Sequence, residues 1–165
     1  MHINYFAPHF PQIRFQPSDM NEDVFESIRK NTMEQGNANV ADPTKLDLTN
    51  PETWPIAKDR FYDIVFAINI FQVAPVSIAN GIFEMAARVL NDSGRVMIYG
   101  PFKVDGHHTA QTNEDFDNEI LAAKVPGWGL KNVGDLEKSA KEHGLVLREK
   151  LDLPANNFIL IFSRQ

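Results

Sequence analysis

The order of apolar patterns along the chain predicts an α/β domain with a mostly parallel sheet, helices on both of its faces and an antiparallel β-hairpin at the end. Strand-like runs alternate with helix-like stripes through most of the sequence, which is typical of parallel sheets. The last two strand-like runs, residues 145–153 and 158–162, are separated by only four residues, and so short a connection forces them antiparallel. The 165 residues are enough for one domain, and we expect residues 1–165 to form a single one.

The first third of the chain predicts two short strands with a helix between them. Residues 13–16 alternate between apolar and polar side chains, as a half-buried strand does. Asp19 precedes Glu22 by three residues, which is the spacing of a helix N-cap in a capping box, and Gly36 has the position of a helix terminator. A weak strand is expected at residues 44–48.

The middle of the chain contains the strongest strand pattern. Residues 62–68 are almost continuously apolar, as in a strand that is covered on both faces. A helical stripe of apolar residues follows at residues 78–89, and we expect the Asn-Asp-Ser-Gly sequence at residues 91–94 to stop it. Residues 95–99 then predict another buried strand.

Two more helices are expected before the final hairpin. Asn113 has the position of an N-cap for a helix that carries Phe116 and Ile120, and Asn132 has that position for a helix that Gly144 ends. The hairpin inserts one antiparallel strand into the sheet, which separates the pattern from a plain dinucleotide-binding fold. This insertion is the mark of class I methyltransferases, so we expect their Rossmann-like three-layer sandwich.

Composition excludes several classes of protein. The chain has no cysteine, which excludes disulfides, thiol nucleophiles and cysteine-ligated metals. Its formal net charge of −6 argues against binding to nucleic acid, because an acidic surface repels phosphates. The longest apolar run is far too short to span a membrane, and the N-terminus lacks a signal-peptide pattern, so a cytoplasmic location is expected. His107 and His108 are adjacent without a third ligand at zinc spacing, so no metal site is expected.

Ligands of open parallel sheets bind outside the carboxyl ends of the strands, so the residues that follow each predicted strand are candidates for a binding site. These residues are Ser18, Asp19, Asp47, Leu48 and Asn69. Asp19 could accept hydrogen bonds from a ribose diol, or it could only cap a helix. Asp47 could accept from an adenine amino group or only initiate a turn. Asn69 could line the amino-acid end of a cofactor or only cap backbone groups at the end of a strand.

Tyr99 and Lys103 have the spacing of the Tyr–Lys pair of short-chain dehydrogenases. That pair works on one face of a helix, whereas Gly100-Pro101 breaks any helix here, which argues against a nicotinamide oxidoreductase. We instead take Tyr99, Lys103 and Asn113 as candidate catalytic residues on the acceptor side, because their loops are expected over the mouth of the cofactor site. Trp128 could wall a substrate pocket or anchor a loop.

Several short motifs occur in an order and spacing that carry a family resemblance over essentially the whole chain. They are Phe15-Gln16-Pro17-Ser18-Asp19, residues 68–75, Tyr99-Gly100-Pro101-Phe102-Lys103, Asn113 with Phe116-Asp117, Trp128-Gly129, and Pro154-Ala155-Asn156-Asn157 with Phe162. Together they closely resemble the methyltransferase-like protein 26 family. The resemblance implies a class I methyltransferase fold, S-adenosylmethionine as the cofactor, and an unknown methyl acceptor that is a small molecule or a protein.

Two departures from the family pattern affect what is expected. In the family, a strand and a Gly-x-Gly-x-Gly-type loop precede the segment that aligns with His2 to Ala7, so we expect this chain to be N-terminally incomplete and impaired in cofactor binding. The absent strand belongs between the strands ending at Gln16 and Ile68, and the open edges could bind a protein partner or self-associate. Gln72 stands where family members usually carry His, and Gln cannot act as a general base.

Two functions are therefore expected from the sequence. The first is an S-adenosylmethionine-dependent methyltransferase-like protein with an unknown acceptor. The alternative is a non-catalytic interaction module derived from that fold. Affinity for the cofactor separates the two, because the interaction module would fold without binding it.

Overall fold

The structure of the protein is a computed structural model that describes residues 2–55 and 62–165. It divides into two compact units, Met1–Trp54 and Pro55–Gln165, which we call unit 1 and unit 2. Each unit has buried apolar side chains of its own.

Unit 1 is built from two helices and a pair of very short parallel strands. Its elements are α1 (His2–Phe6), β1 (Ser18–Asp19), α2 (Phe25–Glu34) and β2 (Thr44–Lys45). The strands pair in register, with Ser18 opposite Thr44 and Asp19 opposite Lys45. Ile3, Ala7 and Phe15 form a buried cluster on which Val40 packs. This cluster holds the chain before β1 against the chain before β2.

The strands predicted for unit 1 are shorter in the structure, and one is absent. Residues 13–16 form no regular strand, because Phe15 makes a single parallel bridge to Val40 and pairing resumes only at β1. The strand predicted at residues 44–48 ends at Lys45. Beyond it, Asp47 turns the chain by accepting a hydrogen bond from the Thr49 backbone N–H.

The predicted start of the first long helix is also wrong. Asp19 does not cap it, since the Asp19 carboxylate accepts a hydrogen bond from the Asn21 N–H in a local turn. Asn21 is the residue that caps, and its side chain accepts from the Asp23 N–H at the start of the short 3₁₀ helix Glu22–Val24. The α-helix itself begins at Phe25.

Over residues 62–165, unit 2 forms a four-stranded mixed sheet and three α-helices. Its elements are β3 (Tyr62–Ile68), α3 (Ser77–Val89), β4 (Leu90–Gly100), α4 (Gln111–Ala122), α5 (Val133–Glu142), β5 (Leu145–Leu153) and β6 (Asn157–Arg164). The strand order is β3-β4-β6-β5. β3 is parallel to β4, whereas β6 is antiparallel to both of its neighbours. The predicted insertion of one antiparallel strand by the terminal hairpin is therefore confirmed.

One face of this sheet is buried under α3 and α5. α3 contacts β4 and α5, and α5 also contacts β5. Phe83 of α3 meets Phe162 of β6 edge to face, with ring centroids 4.8 Å apart, and both side chains are fully buried. Arg164 donates from Nη2 to the carbonyl oxygens of Ala87 and Leu90, where α3 ends. These contacts fix the carboxyl end of α3 on the sheet.

β3 and β4 differ from the prediction in two respects. Ile64 and Phe66 are 42% and 39% exposed, so β3 is not covered on both faces. Val65 and Ala67 pair with the buried residues Val96 and Ile98 of β4. Since neighbouring side chains of a strand point to opposite faces, Ile64 and Phe66 lie on the face that α3 does not cover. Residues 91–94 do not form a separate turn, since β4 begins at Leu90 and the β3–β4 register is irregular at that end.

The predicted N-cap residue is wrong for α4 and correct for α5. Asn113 is not the N-cap of α4; that position is Ala110, and Asn113 is buried inside the first turn. Asn132 is the N-cap residue of α5, as predicted, and Gly144 follows the helix in a left-handed conformation with φ +73°. Among residues 2–55 and 62–165, no helix has the length and apolar character that crossing a membrane requires.

Candidate functional site

The carboxyl ends of the parallel strands in unit 2 open into a cleft of about 440 Å³. Carboxamide side chains dominate its lining: Asn69, Gln72, Asn113, Asn156 and Asn157. The other lining residues are Pro101, Thr112, Phe116 and Ala155. We call this the amide cleft. None of the residues that line it carries an ionisable side chain.

Two of the carboxamides are almost fully buried and have fixed orientations. Gln72 is 7% exposed and Asn113 is 5% exposed. Gln72 Nε2 donates to the Asn69 carbonyl at 3.1 Å, and Asn113 Nδ2 donates to the Asn156 carbonyl at 3.0 Å. Because a carbonyl can only accept, each amide nitrogen must face its carbonyl partner. Gln72 Oε1 and Asn113 Oδ1 are left over, and neither accepts a hydrogen bond from the described residues.

Strained backbone is concentrated at the same cleft. Asn69, Ala155 and Asn156 all have left-handed conformations, with φ of 54°, 59° and 58°. Such a conformation costs Ala155 roughly 1–2 kcal/mol, whereas Asn adopts it more readily. The strain is held in part by Asn156 Nδ2, which donates to Thr112 Oγ1 at 3.2 Å. Residues held in this way cluster at binding and catalytic sites, where the surrounding structure fixes them.

A buried carboxylate ties α4 to the loops beside the amide cleft. Asp117 is 1% exposed, and its Oδ2 accepts from Lys103 Nζ at 2.7 Å and from His108 Nε2 at 2.8 Å. Its Oδ1 accepts from the Leu130 backbone N–H at 2.6 Å. Burial alone would raise the pKa of Asp117, but the hydrogen bonds from Lys103 and His108 outweigh it and hold that pKa below the ordinary value. The carboxylate is therefore ionised and structural at neutral pH.

Hydrogen bonds hold the loop that contains Trp128 and connect it to Gln72 of the amide cleft. Lys131 Nζ donates to the carbonyls of Gly127 at 2.6 Å and Gly129 at 2.9 Å. The Gly129 N–H donates to the Gln72 carbonyl at 2.9 Å, so this loop helps to hold Gln72 in place. Burial lowers the pKa of Lys131. Trp128 is half-buried in the loop and does not line the amide cleft.

Unit 1 presents two acidic residues at the carboxyl ends of its adjacent parallel strands. The Asp19 carbonyl accepts from the Leu46 N–H at 2.9 Å, which places the two strand ends side by side. Asp19 Oδ1 accepts from the Asn21 N–H, and Asp47 Oδ1 accepts from the Thr49 hydroxyl and N–H. The Thr49 hydrogen bonds lower the pKa of Asp47. In each carboxylate Oδ2 has no hydrogen-bond partner among the described residues.

The predicted site residues thus fall into two groups, one in each unit. Ser18, Asp19, Asp47 and Leu48 lie at the carboxyl edge of β1 and β2. In unit 2, Asn69 and Asn113 line the amide cleft, Lys103 is paired with Asp117, and Tyr99 lies within β4 opposite Ile68 and Ile159. The turn interpretation of Asp47 is confirmed, while its role in binding stays a prediction.

Sequence reasoning missed the contribution of the final hairpin to the cleft. Ala155, Asn156 and Asn157 follow β5, which runs parallel to β4 in the mixed sheet. The rule that ligands bind beyond the carboxyl ends of parallel strands applies to β5 as well. Applying it to residues 154–157 would have found these amides. Within the described residues, no group of three or more His, Asp or Glu side chains is placed to hold a metal ion.

Three solved structures resemble the chain over nearly its whole length. An O-methyltransferase family protein from Burkholderia thailandensis matches with a TM-score of 0.81 and 15% identity, covering 99% of this chain and 47% of its own. The S-adenosylmethionine-dependent methyltransferase SibL, in its apo form, matches with 0.79 and 18%, covering 99% and 47%. LepI in complex with S-adenosylmethionine matches with 0.74 and 16%, covering 98% and 39%. The chain thus spans less than half the length of these proteins.

These likenesses confirm the fold class predicted from the terminal hairpin, an α/β class I methyltransferase fold. At such low identity they establish the fold and leave the chemistry open. The family is established from sequence, since the protein family of unknown function DUF938 matches residues 1–164. A match over this length includes both units and every candidate residue above. The chain therefore belongs to the DUF938 family.

Proposed function

We propose that this chain is an S-adenosylmethionine-dependent methyltransferase of the methyltransferase-like protein 26 type. The observation that carries the proposal is the pair of carboxylates, Asp19 and Asp47, at the ends of adjacent parallel strands on a class I methyltransferase fold. The net charge of −6 supports an acceptor other than nucleic acid.

The acidic pair fits the nucleoside half of S-adenosylmethionine. The Oδ2 atom of Asp19 is an acceptor on an exposed side chain, and the hydroxyls of a ribose are donors. Hydrogen bonds to a charged group are each worth about 1.5–3 kcal/mol. Asp47 has a lowered pKa, so it is ionised at neutral pH and can accept from an adenine amino group. Ser18 and Leu48 flank the two carboxylates in sequence, and we include them in the proposed cofactor shell.

On the acceptor side, unit 2 supplies the amide cleft. Asn113 lines it, and we assign that side chain to contact with the acceptor. Lys103 is held by Asp117, so we assign it a positioning role, because its ammonium is already paired. Tyr99 lies within β4, one residue before Gly100 and two before Pro101, which lines the cleft. Asn69 also lines the cleft, and we keep it as a candidate for contact with the cofactor.

Calorimetric titration of S-adenosylhomocysteine into the folded 165-residue chain tests the proposal. We expect an affinity that is measurable but impaired, as the sequence predicts, and we expect Asp19→Ala to weaken it at least a further tenfold, which corresponds to about 1.4 kcal/mol. The matched control is Asp23→Asn, which removes an exposed carboxylate from the same unit and should leave the affinity unchanged. A folded chain with no affinity for S-adenosylhomocysteine would refute the proposal, and unchanged affinity in Asp19→Ala would refute the assigned role of Asp19.

The second candidate is a non-catalytic interaction module that pairs with a second copy of itself through β3. It is favoured by one observation: among the described residues β3 is an edge strand of the four-stranded sheet, and it carries the exposed apolar side chains of Ile64 and Phe66. Exposed strand edges of this kind template pairing with another strand. Light scattering after size exclusion should then show a dimer that Ile64→Lys dissociates, together with no binding of S-adenosylhomocysteine.

A further inference from the structure

We propose that the amide cleft binds a small neutral molecule with a planar ring and an O–H or N–H donor, and that this molecule is the methyl acceptor. The proposal rests on the methyltransferase function proposed above and names its substrate class. Three properties of the cleft carry it: the absence of charge in its lining, the two left-over amide oxygens, and its size.

The lining of the cleft selects against charged ligands. A charge transferred from water into a partly buried site is costly unless an opposite charge meets it there. Every lining side chain is neutral at any physiological pH. Lys103, on the loop after β4, already donates to Asp117. A carboxylate or phosphate group on the ligand would therefore meet no opposite charge in the lining, and an ammonium group would meet only neutral amide oxygens.

The buried amides select for a donor. Gln72 Oε1 and Asn113 Oδ1 belong to side chains that are more than nine-tenths buried, and neither accepts a hydrogen bond from the described residues. Both oxygens remain accessible to water, so a ligand that donates to one of them keeps that acceptor paired, whereas a ligand without a donor displaces the water and leaves the acceptor unpaired. An O–H or N–H group on the ligand meets this requirement, and these are also the groups that accept a methyl group.

The geometry of the cleft selects for a small planar body. Its volume of about 440 Å³ lies within the range of roughly 300–1,000 Å³ that small-molecule sites occupy. Phe116 lines it and is 40% exposed, and its ring offers a flat apolar surface. The strained conformations of Asn69, Ala155 and Asn156 fix the rim. A rigid rim of this kind favours one rigid ligand over a flexible chain.

The chemistry of the transfer is balanced without any ionisable group in the cleft. When S-adenosylmethionine is bound, it supplies a methyl group on a positively charged sulfur. A lone pair of the acceptor O–H or N–H forms the new bond to that methyl carbon, and the electron pair of the breaking S–C bond stays on sulfur. The acceptor proton leaves to water, because Gln72 and Asn113 can accept a hydrogen bond but cannot take a proton.

Four substituted benzenes test the proposal: 4-hydroxybenzamide, 4-hydroxybenzoate, 4-hydroxybenzamidine and 4-methoxy-N,N-dimethylbenzamide. They share a ring but differ in charge or, for the methoxy compound, in having no O–H or N–H donor. Each is titrated into the isotopically labelled full chain without cofactor, and binding is followed by NMR shifts of the side-chain amides. We expect the neutral hydroxybenzamide to bind with a dissociation constant in the range of about 1 mM. We expect the two charged compounds to bind at least about tenfold more weakly, and the methoxy compound at least about fivefold more weakly.

Two variants on α4 sharpen the test, because both add one carboxylate at an exposed position of the same helix. Thr112→Glu places it in the lining of the cleft, whereas Asn118→Glu places it outside. We expect Thr112→Glu to make the cationic hydroxybenzamidine the preferred compound and Asn118→Glu to leave the preference for the amide. Phe116→Leu should weaken binding of the amide by roughly two- to tenfold, because it removes the aromatic surface.

Three results would overturn the inference: a charged compound that binds as tightly as the amide, an equal effect of the two Glu variants, or no binding of any compound to the folded chain. None of these depends on the cofactor. If the compounds fail while S-adenosylhomocysteine binds, the substrate class is wrong and the proposed function stands. If the compounds bind as expected while S-adenosylhomocysteine does not, the cleft is a binding site and the proposed function fails.

Discussion

Replacing Asp117 by Asn removes the charge of the buried carboxylate while keeping its shape. The Asn oxygen can still accept from the Leu130 N–H, but the amide nitrogen that replaces Oδ2 points a donor at Lys103 and His108. The loss includes at least one charge-assisted hydrogen bond, each worth about 1.5–3 kcal/mol. The Lys103 and His108 side chains are 24% and 23% exposed, so both can regain part of their hydration. We therefore expect a loss of about 2–3 kcal/mol in the free energy of unfolding.

Urea denaturation followed by circular dichroism measures this loss, and the corresponding shift in Tm is about 5–10 °C for a chain of this length. The control is Asp115→Asn on the same helix, whose carboxylate is exposed and should change stability by less than about 0.5 kcal/mol. Hydrogen exchange of the Leu130 amide adds a local readout, because it is the donor to Asp117. If Asp117→Asn were as stable as Asp115→Asn, with Leu130 exchange unchanged, the structural role of Asp117 would be refuted.

Three further predictions concern pH and backbone strain. Because the pKa of Asp117 is lowered in the folded state, its contribution to stability is present above pH about 4 and is lost as the pH falls through the folded pKa. The stability gap between wild type and Asp117→Asn should therefore shrink as the pH falls below about 4 in urea titrations, and a gap that stays the same there would contradict this. Ala155→Gly should stabilise the protein by about 0.5–1 kcal/mol in the same assay, because it relieves a left-handed alanine; a destabilised variant would contradict this. Gly127→Ala should destabilise the protein by about 2–4 kcal/mol, because its Cβ would lie 2.8 Å from Pro75 Cα. The control is Gly144→Ala, whose backbone is also left-handed but whose Cβ would lie in open space, and it should cost only about 1–2 kcal/mol. Equal losses would show that the Pro75 contact does not matter.

The elements that the sequence predicted well are those whose run or stripe of apolar residues is typical of one kind of element, a strand or a helix. Residues 62–68 and 145–153 were predicted with the boundaries that β3 and β5 have in the structure. The stripe at residues 78–89 became α3, whose buried residues include Ile82, Ala86 and Val89. In α3 the local pattern and the tertiary packing require the same residues, whereas in β3 the apolar run predicts the boundaries although Ile64 and Phe66 are exposed.

The candidate site was harder to predict, because α4 buries polar residues. Its buried positions are Asn113, Asp117 and Ile120, which share one helical face, while Phe116 beside them is exposed. An apolar stripe cannot reveal such a face. The burial of Asn113 depends on the Asn156 carbonyl, which lies 43 residues away, and capping rules consider only neighbours along the chain.

The insertion of β6 between β4 and β5 has a consequence for the order in which unit 2 folds. β4 can reach its full set of partners only after β6 arrives, and the residues they pair, such as Val96 and Phe162, are far apart along the chain. β5 and β6 are joined by a short connection, so their hairpin forms on a microsecond timescale before any long loop is closed. The hairpin must then dock on β4 as a preformed piece, since β5 alone has no place in the sheet. Substitutions confined to the β5–β6 ladder should therefore slow folding, because that ladder forms before docking, whereas those in the β4–β6 ladder, which forms on docking, should act more on the rate of unfolding; stopped-flow folding and unfolding rates of one variant from each ladder test this.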